Sequence, residues 1–102
     1  MDLAPTKPGE TPQLELAGIG VRLKPDGNTL VVSEVLAGSG AAEAGLAPGD
    51  RIVAVDGVAV AQLGLDGALE RIRGPEGSPV RLTIRRGDAE TVLVAIRQRI
   101  RA

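Results

Sequence analysis

Three serines (Ser33, Ser39 and Ser78), two lysines (Lys7 and Lys24) and a set of carboxylates are the groups with which this chain could do covalent chemistry, because it has no histidine and no cysteine. A serine hydroxyl attacks an acyl carbon only when a neighbouring base takes its proton, and the usual base is missing everywhere in the sequence. Lys7 lies in a proline-rich stretch and Lys24 in a turn, so neither is placed as a substitute. Without Cys and His there are also no disulfides, no thiol nucleophiles and none of the usual zinc ligands. The expectation is a chain with no catalytic residue, no metal site and no cofactor, whose function rests on binding.

The elements that would position a binding site must be built from an unusual palette. A chain of 102 residues is enough for one domain with a modest core. Phe, Tyr and Trp are absent, so that core is packed from Val, Leu, Ile and Ala, and a base-stacking nucleic-acid surface has nothing to stack with. The net charge of −1 hides an asymmetry: residues 1–70 hold four basic and ten acidic side chains, and residues 71–102 hold eight and three. The excess is too small for a nucleic-acid role and fits charges spread over solvated strand faces and helix ends. Arg97, Arg99 and Arg101 share one side if their segment is extended. No apolar run approaches the roughly 18 residues of a membrane span, and the first residues lack a signal-peptide pattern, so no direct membrane insertion is expected.

Along the chain, Met1 to Pro12 contains Pro5, Pro8 and Pro12 among polar and small residues and reads as a flexible linker or an appended remnant. Leu14, Leu16, Ile19, Val21 and Leu23 then suggest one or two extended pieces broken at Ala17-Gly18, and Lys24-Pro25-Asp26-Gly27-Asn28 reads as a turn. Thr29 to Leu36 is a β-branched strand. After it, Gly38-Ser39-Gly40 frees the backbone, with Ser39 or Gly40 able to cap a one-turn helix over Ala41–Ala44. Gly45 suits the left-handed stop, with Leu46 as its apolar contact. Pro48-Gly49 turns the chain, Asp50 offers an acceptor to the loop amides, and Ile52, Val53 and Val55 form a strand ending at the turn pair Asp56-Gly57.

A short strand over Val58–Val60 follows. Leu65, Ala68, Leu69 and Ile72 recur at helical spacing, predicting a helix over Leu65–Arg73 that stops at Gly74-Pro75. Gly64 in front of it is a weak cap, and Gly67 loosens it. Two strands close the chain around an Arg86-Gly87-Asp88 hairpin: Pro79–Arg85 turns Val80, Leu82 and Ile84 inward, and Glu90–Arg97 alternates Val92, Val94 and Ile96 in the same way. The fold class expected is α+β, mainly β: a small, partly open barrel or sandwich of five to six strands with two helices.

The run GSGAAEAGLAPGDRIVAVDG, within Leu36–Gly57, resembles the helix, turn and strand at the centre of PDZ domains. With it the resemblance covers about residues 13–97, leaving 1–12 as linker and 98–102 as a basic C-terminal tail. It implies a module that takes the C-terminal end of a peptide as an added strand, with Gly18-Ile19-Gly20-Val21 as the loop whose amides meet the terminal carboxylate. Taken alone, that tetrapeptide reads rather as two glycines easing a bend between strands, and its position just before the strand Val21–Leu23 reverses that reading. Ile19, Val21 and Leu23 would belong to the pairing strand, and Leu65, Leu69 and Ile72 to the groove wall. An apolar Leu65 in the first helix position implies a preference for an apolar side chain two residues before the peptide's end. Here Ile19 and Val21 must fill a loop pocket that Phe or Tyr often helps to fill.

Residues Leu65 to Val80, with Arg73-Gly74 and Gly77, look like PDZ domains of bacterial carboxyl-terminal processing proteases. Members of that family cut with a serine and a lysine in a separate catalytic domain, which these residues do not include. The resemblance thus implies a regulatory or substrate-delivery part of a larger protease or envelope protein, in the periplasm or cell envelope, with peptide or protein C-termini as partners. The alternative is a scaffold domain of a secretion or surface assembly that binds a folded partner by its sheet edge and ignores free carboxylates.

Overall fold

The structure is a computed structural model that describes residues 16–98. Ten elements follow one another: β1 (Leu16–Ala17), β2 (Val21–Asp26), β3 (Thr29–Val35), α1 (Gly40–Ala44), β4 (Arg51–Val55), β5 (Val58–Ala59), α2 (Val60–Ile72), β6 (Gly74–Pro75), β7 (Pro79–Arg86) and β8 (Ala89–Ile96). Six strands make one open antiparallel sheet in the order β2-β3-β4-β7-β8, with β5 paired to β4, and β1 pairs with β6 apart from it. One expected turn is shorter than the sequence suggests. The β2 strand continues through Lys24, Pro25 and Asp26, so only Gly27-Asn28 separates it from β3.

Apolar side chains from every large element meet in a single aliphatic core. Leu30 and Val32 of β3, Ile52 and Val55 of β4, and Val80, Leu82 and Ile84 of β7 are at most 1% exposed. Ile19, Ala41, Val60, Ala68 and Ile72 close the core from the loop and the two helices. Burying a branched aliphatic side chain is worth about 1.5–3 kcal/mol, so a core without rings is still adequate for a domain of this size.

The central motif folds as its residues dictate. Ser39 is the N-cap of α1, its Oγ accepting the Ala42 amide at 3.2 Å, and Gly45 ends the helix with φ 96°. The Leu46 amide donates to the Ala41 carbonyl and the Gly45 amide to that of Ala42, which is the paired stop of a Schellman motif. Asp50, 2% exposed, accepts the Ala47 amide at 2.9 Å and two donors from Arg86, Nε at 2.7 Å and Nη2 at 2.6 Å. Arg86 Nη2 also donates to the Gly45 carbonyl. One guanidinium thus ties the end of α1 and the turn before β4 to the end of β7.

Three expectations are corrected. The helix expected over Leu65–Arg73 starts after Gly64 as the sequence suggests, but it is preceded by a further turn from Val60 and ends at Ile72, with Arg73 already extended at ψ 154°. Between the two, Gly64 has φ 79° and ψ 161°, a conformation open to glycine and costly for other residues, and the chain kinks there into a first turn and the longer helix. The inward face of β8 is not Val92, Val94 and Ile96, which are 53%, 50% and 40% exposed. Its inward residues are Leu93 and Ala95, because the two-residue Gly87-Asp88 loop sets Leu82 opposite Leu93 and Val80 opposite Ala95, and directly opposed residues share a face.

Arg97, finally, is no member of an exposed basic row; Arg99 and Arg101 lie outside the described residues. Only 8% exposed, it donates from Nε to the Ile72 carbonyl, from Nη2 to that of Arg71, and from Nη1 to Ser78 Oγ and the Pro79 carbonyl. A cation placed on the last carbonyls of α2 also complements the helix dipole.

Candidate functional site

The loop between β1 and β2 is held by its carbonyls. Gly18 O accepts the Gln98 amide, Ile19 O the Ala41 amide and Gly20 O the Leu36 amide, each at 2.9 Å. A trans peptide points its C=O and its N–H to opposite sides, and no peptide in the described chain is cis. Three successive carbonyls drawn into the protein therefore turn the next three amides, those of Ile19, Gly20 and Val21, the other way. Gly20 makes this possible with φ 85°, a conformation that a side chain would strain. The Ile19 and Gly20 amides have no backbone acceptor among the described residues.

Beside this loop lies a cavity of about 360 Å³ between β2 and α2. Gly18, Ile19, Gly20, Val21 and Leu23 border it on one side and Leu69 and Ile72 on the other, so seven residues singled out in the sequence meet at one place. Leu65 does not border it; this side chain is half-buried against the core one turn further up the helix. Ile19 is 1% exposed and packs in the core, so what it offers the cavity is its backbone. Val21, Leu23 and Leu69 are half-buried and form the apolar walls.

Sequence reasoning missed Arg22, Leu36 and Arg73, which also line the cavity. Arg73 was detectable, for it caps the helix four residues after Leu69, where the helical period brings it to the same side. Leu36 was not, because it arrives through the long-range bond between its amide and Gly20. Arg22 pairs with Glu34 at 3.0 Å on the exposed surface, whereas Arg73 makes no ion pair among the described residues. The sheet edge beside the cavity is open, since β2 is the outermost strand of its sheet. The arrangement can accept an extended chain along β2, an anion at the loop amides and an apolar side chain between them. No group of three or more His, Cys, Asp or Glu able to hold a metal ion exists among the described residues.

Comparison with protein families matches residues 10–85 to the PDZ domain, and the chain belongs to that family. It is 47% identical over 72 residues to a carboxyl-terminal-processing protease of Synechocystis sp., a match covering 69% of this chain and 17% of that protein. Among solved structures it resembles a photosystem II D1 C-terminal processing protease, with a TM-score of 0.75 and 29% identity over 85% of this chain and 24% of the other. It also resembles the PDZ domain of a carboxy-terminal protease from Vibrio cholerae, solved in complex with peptide, with a TM-score of 0.73 and 32% identity over 86% of this chain and 99% of that one. The module is thus similar to PDZ domains that occur inside proteases, and the chain spans only a small part of those proteases' length.

Proposed function

We propose that this PDZ domain binds the C-terminal end of a polypeptide as a strand added to β2, and that in its parent protein it delivers or senses substrate for a protease domain in the same polypeptide. The observation that carries this reading is the set of three tied carbonyls at Gly18, Ile19 and Gly20, which turns each of the three following amides away from the partner of its carbonyl, beside an open strand edge and an apolar cavity. Convergent main-chain amides form an anion site without a charged side chain, and a terminal carboxylate adjoining a β-strand is the anion that fits both features. Val21, Leu23, Leu69 and Ile72 are the apolar walls for the peptide's last side chains, and Arg73 adds a positive charge at the carboxylate end.

The unit that does this is residues 13–97, with the segments on either side as connections. In this reading bond cleavage belongs to the protease domain, and the serines of the module serve its structure: Ser33 Oγ donates to Arg22 O, Ser39 Oγ caps α1 and donates to Leu36 O, and Ser78 Oγ meets Arg97 and Pro75 O. The test is a calorimetric titration with apolar C-terminal peptides as free acids and as C-terminal amides. Amidation is expected to weaken binding at least about tenfold, because it removes the charge from a charge-assisted site. Equal affinity for acid and amide removes the carboxylate reading and favours a scaffold that takes internal segments.

A further inference from the structure

We infer that Pro25 terminates strand addition, so that main-chain recognition ends at the fifth-from-last residue of the bound polypeptide, whose N–H still meets the Pro25 carbonyl but whose own carbonyl finds no donor. This rests on the peptide-binding reading above and adds to it the length of chain that is read. The β2–β3 hairpin closes through the two-residue loop Gly27-Asn28, with Asp26 opposite Thr29, Pro25 opposite Leu30, Lys24 opposite Val31 and Leu23 opposite Val32. In an antiparallel pair, residues alternate between exchanging both hydrogen bonds with the partner and turning their main-chain groups to the other side. The pair that closes a two-residue loop is of the first kind, so Asp26 and Lys24 bond to β3 while Pro25 and Leu23 face the open edge. Beyond the register shift between Arg22 and Leu23 the phase is fixed independently, because Arg22 O accepts from Ser33 Oγ of β3 at 3.1 Å. Val21, Leu23 and Pro25 are then the residues that a ligand strand meets.

A carboxylate held at the loop amides fixes the ligand antiparallel to β2. With its last residue beside Val21, its third-from-last lies beside Leu23 and its fifth-from-last beside Pro25. Leu23 offers both an N–H and a C=O. Pro25 has no N–H, so the ligand carbonyl opposite it finds no donor. The cavity ends at the same point: its β2 wall stops at Leu23, and Lys24, Pro25 and Asp26 border a separate hollow with Val31. β2 cannot slide to present another residue, because the hairpin end is pinned by Thr29 Oγ1 to Asp26 O at 2.8 Å and by Arg51 to both Asp26 and Thr29.

The experiment uses the 102-residue chain and peptides of four, six and eight residues ending in Leu-Ala-Val with a free carboxylate, extended upstream only by Ser and Thr. Lengthening from four to eight residues is expected to tighten binding by no more than about fivefold, the one hydrogen bond accepted by the Pro25 carbonyl, whereas Pro25→Val supplies the missing donor and makes the octapeptide about a further fivefold tighter. A second measurement needs no variant: in the wild-type octapeptide, N-methylation at the third-from-last residue weakens binding about tenfold and upstream of the fifth-from-last leaves it unchanged. A tenfold or larger gain with length in the wild type, or sensitivity to N-methylation upstream of the fifth-from-last residue, overturns the limit while leaving peptide binding intact. Absence of saturable binding by all three free-acid peptides overturns the groove reading and this inference with it.

Discussion

Asp50 is a carboxylate at 2% exposure whose charge is held by Arg86, and that hydrogen-bonded guanidinium keeps its pKa below the ordinary 3.8 despite burial. A depressed folded-state pKa contributes stability above the unfolded value, and that contribution fades as pH falls from 3.8 through the lowered value. Asp50→Asn is therefore expected to lose about 1–3 kcal/mol at pH 7, with the gap to wild type closing below pH 3.8, as followed by urea unfolding across pH. At the groove, Arg73 faces a different test. Arg73→Gln should weaken a free-acid peptide about threefold to tenfold at low salt and far less at high salt, because an exposed charge acts through a screened field. An unchanged salt dependence would remove Arg73 from the site. The sequence marked Asp50 from local pattern, and Leu69 and the Gly18–Val21 loop through the family resemblance, whereas Leu36 joins them only through a bond to Gly20.

Strands and helices were legible where one short-range cause acts. The cap, stop and turn of Ser39, Gly45 and Asp50 each depend on neighbours within a few residues, and each is where the sequence puts it. β8 was misread because Thr91-Val92-Leu93-Val94-Ala95-Ile96 is apolar on both faces, so alternation does not distinguish inside from outside. What decides is register, and the two-residue Gly87-Asp88 turn fixes that by pairing Arg86 with Ala89. The expected consequence is a sharp contrast between positions: Val94→Thr changes stability by less than about 0.5 kcal/mol, while Leu82→Ala costs about 2–5 kcal/mol. Denaturant midpoints of the two variants measure it, and a Val94→Thr loss as large as that of Leu82→Ala would reverse the face assignment.

At the scale of the whole molecule, Arg97 joins parts that are distant in sequence. Its guanidinium holds the last carbonyls of α2, Ser78 and the start of β7, while its own amide donates to Ser78 O. Gly74 packs so closely on it that an added Cβ would stand 2.7 Å from Cζ, so the length of this side chain is matched to its surroundings. Arg97→Lys keeps the charge but not the fork of directed donors, and is expected to cost about 2–4 kcal/mol. Because the last turn of α2 carries Leu69 and Ile72 and leads into Arg73, the same variant should also weaken peptide binding measured well below its melting temperature. Lost stability with intact affinity would show the groove to be independent of this anchor.

The sequence by itself determined the family, the aliphatic core, the caps and turns of the central motif, and the absence of histidine and cysteine, because each follows from residue type or from spacing within one element. Only the tertiary structure decided which face of β8 is buried, that Arg97 is an interior cap, that Leu65 stands outside the cavity while Leu36, Arg22 and Arg73 line it, and that β2 runs through Pro25 along an open edge. Those are matters of register and of distant segments brought together, and short-range periodicity carries neither.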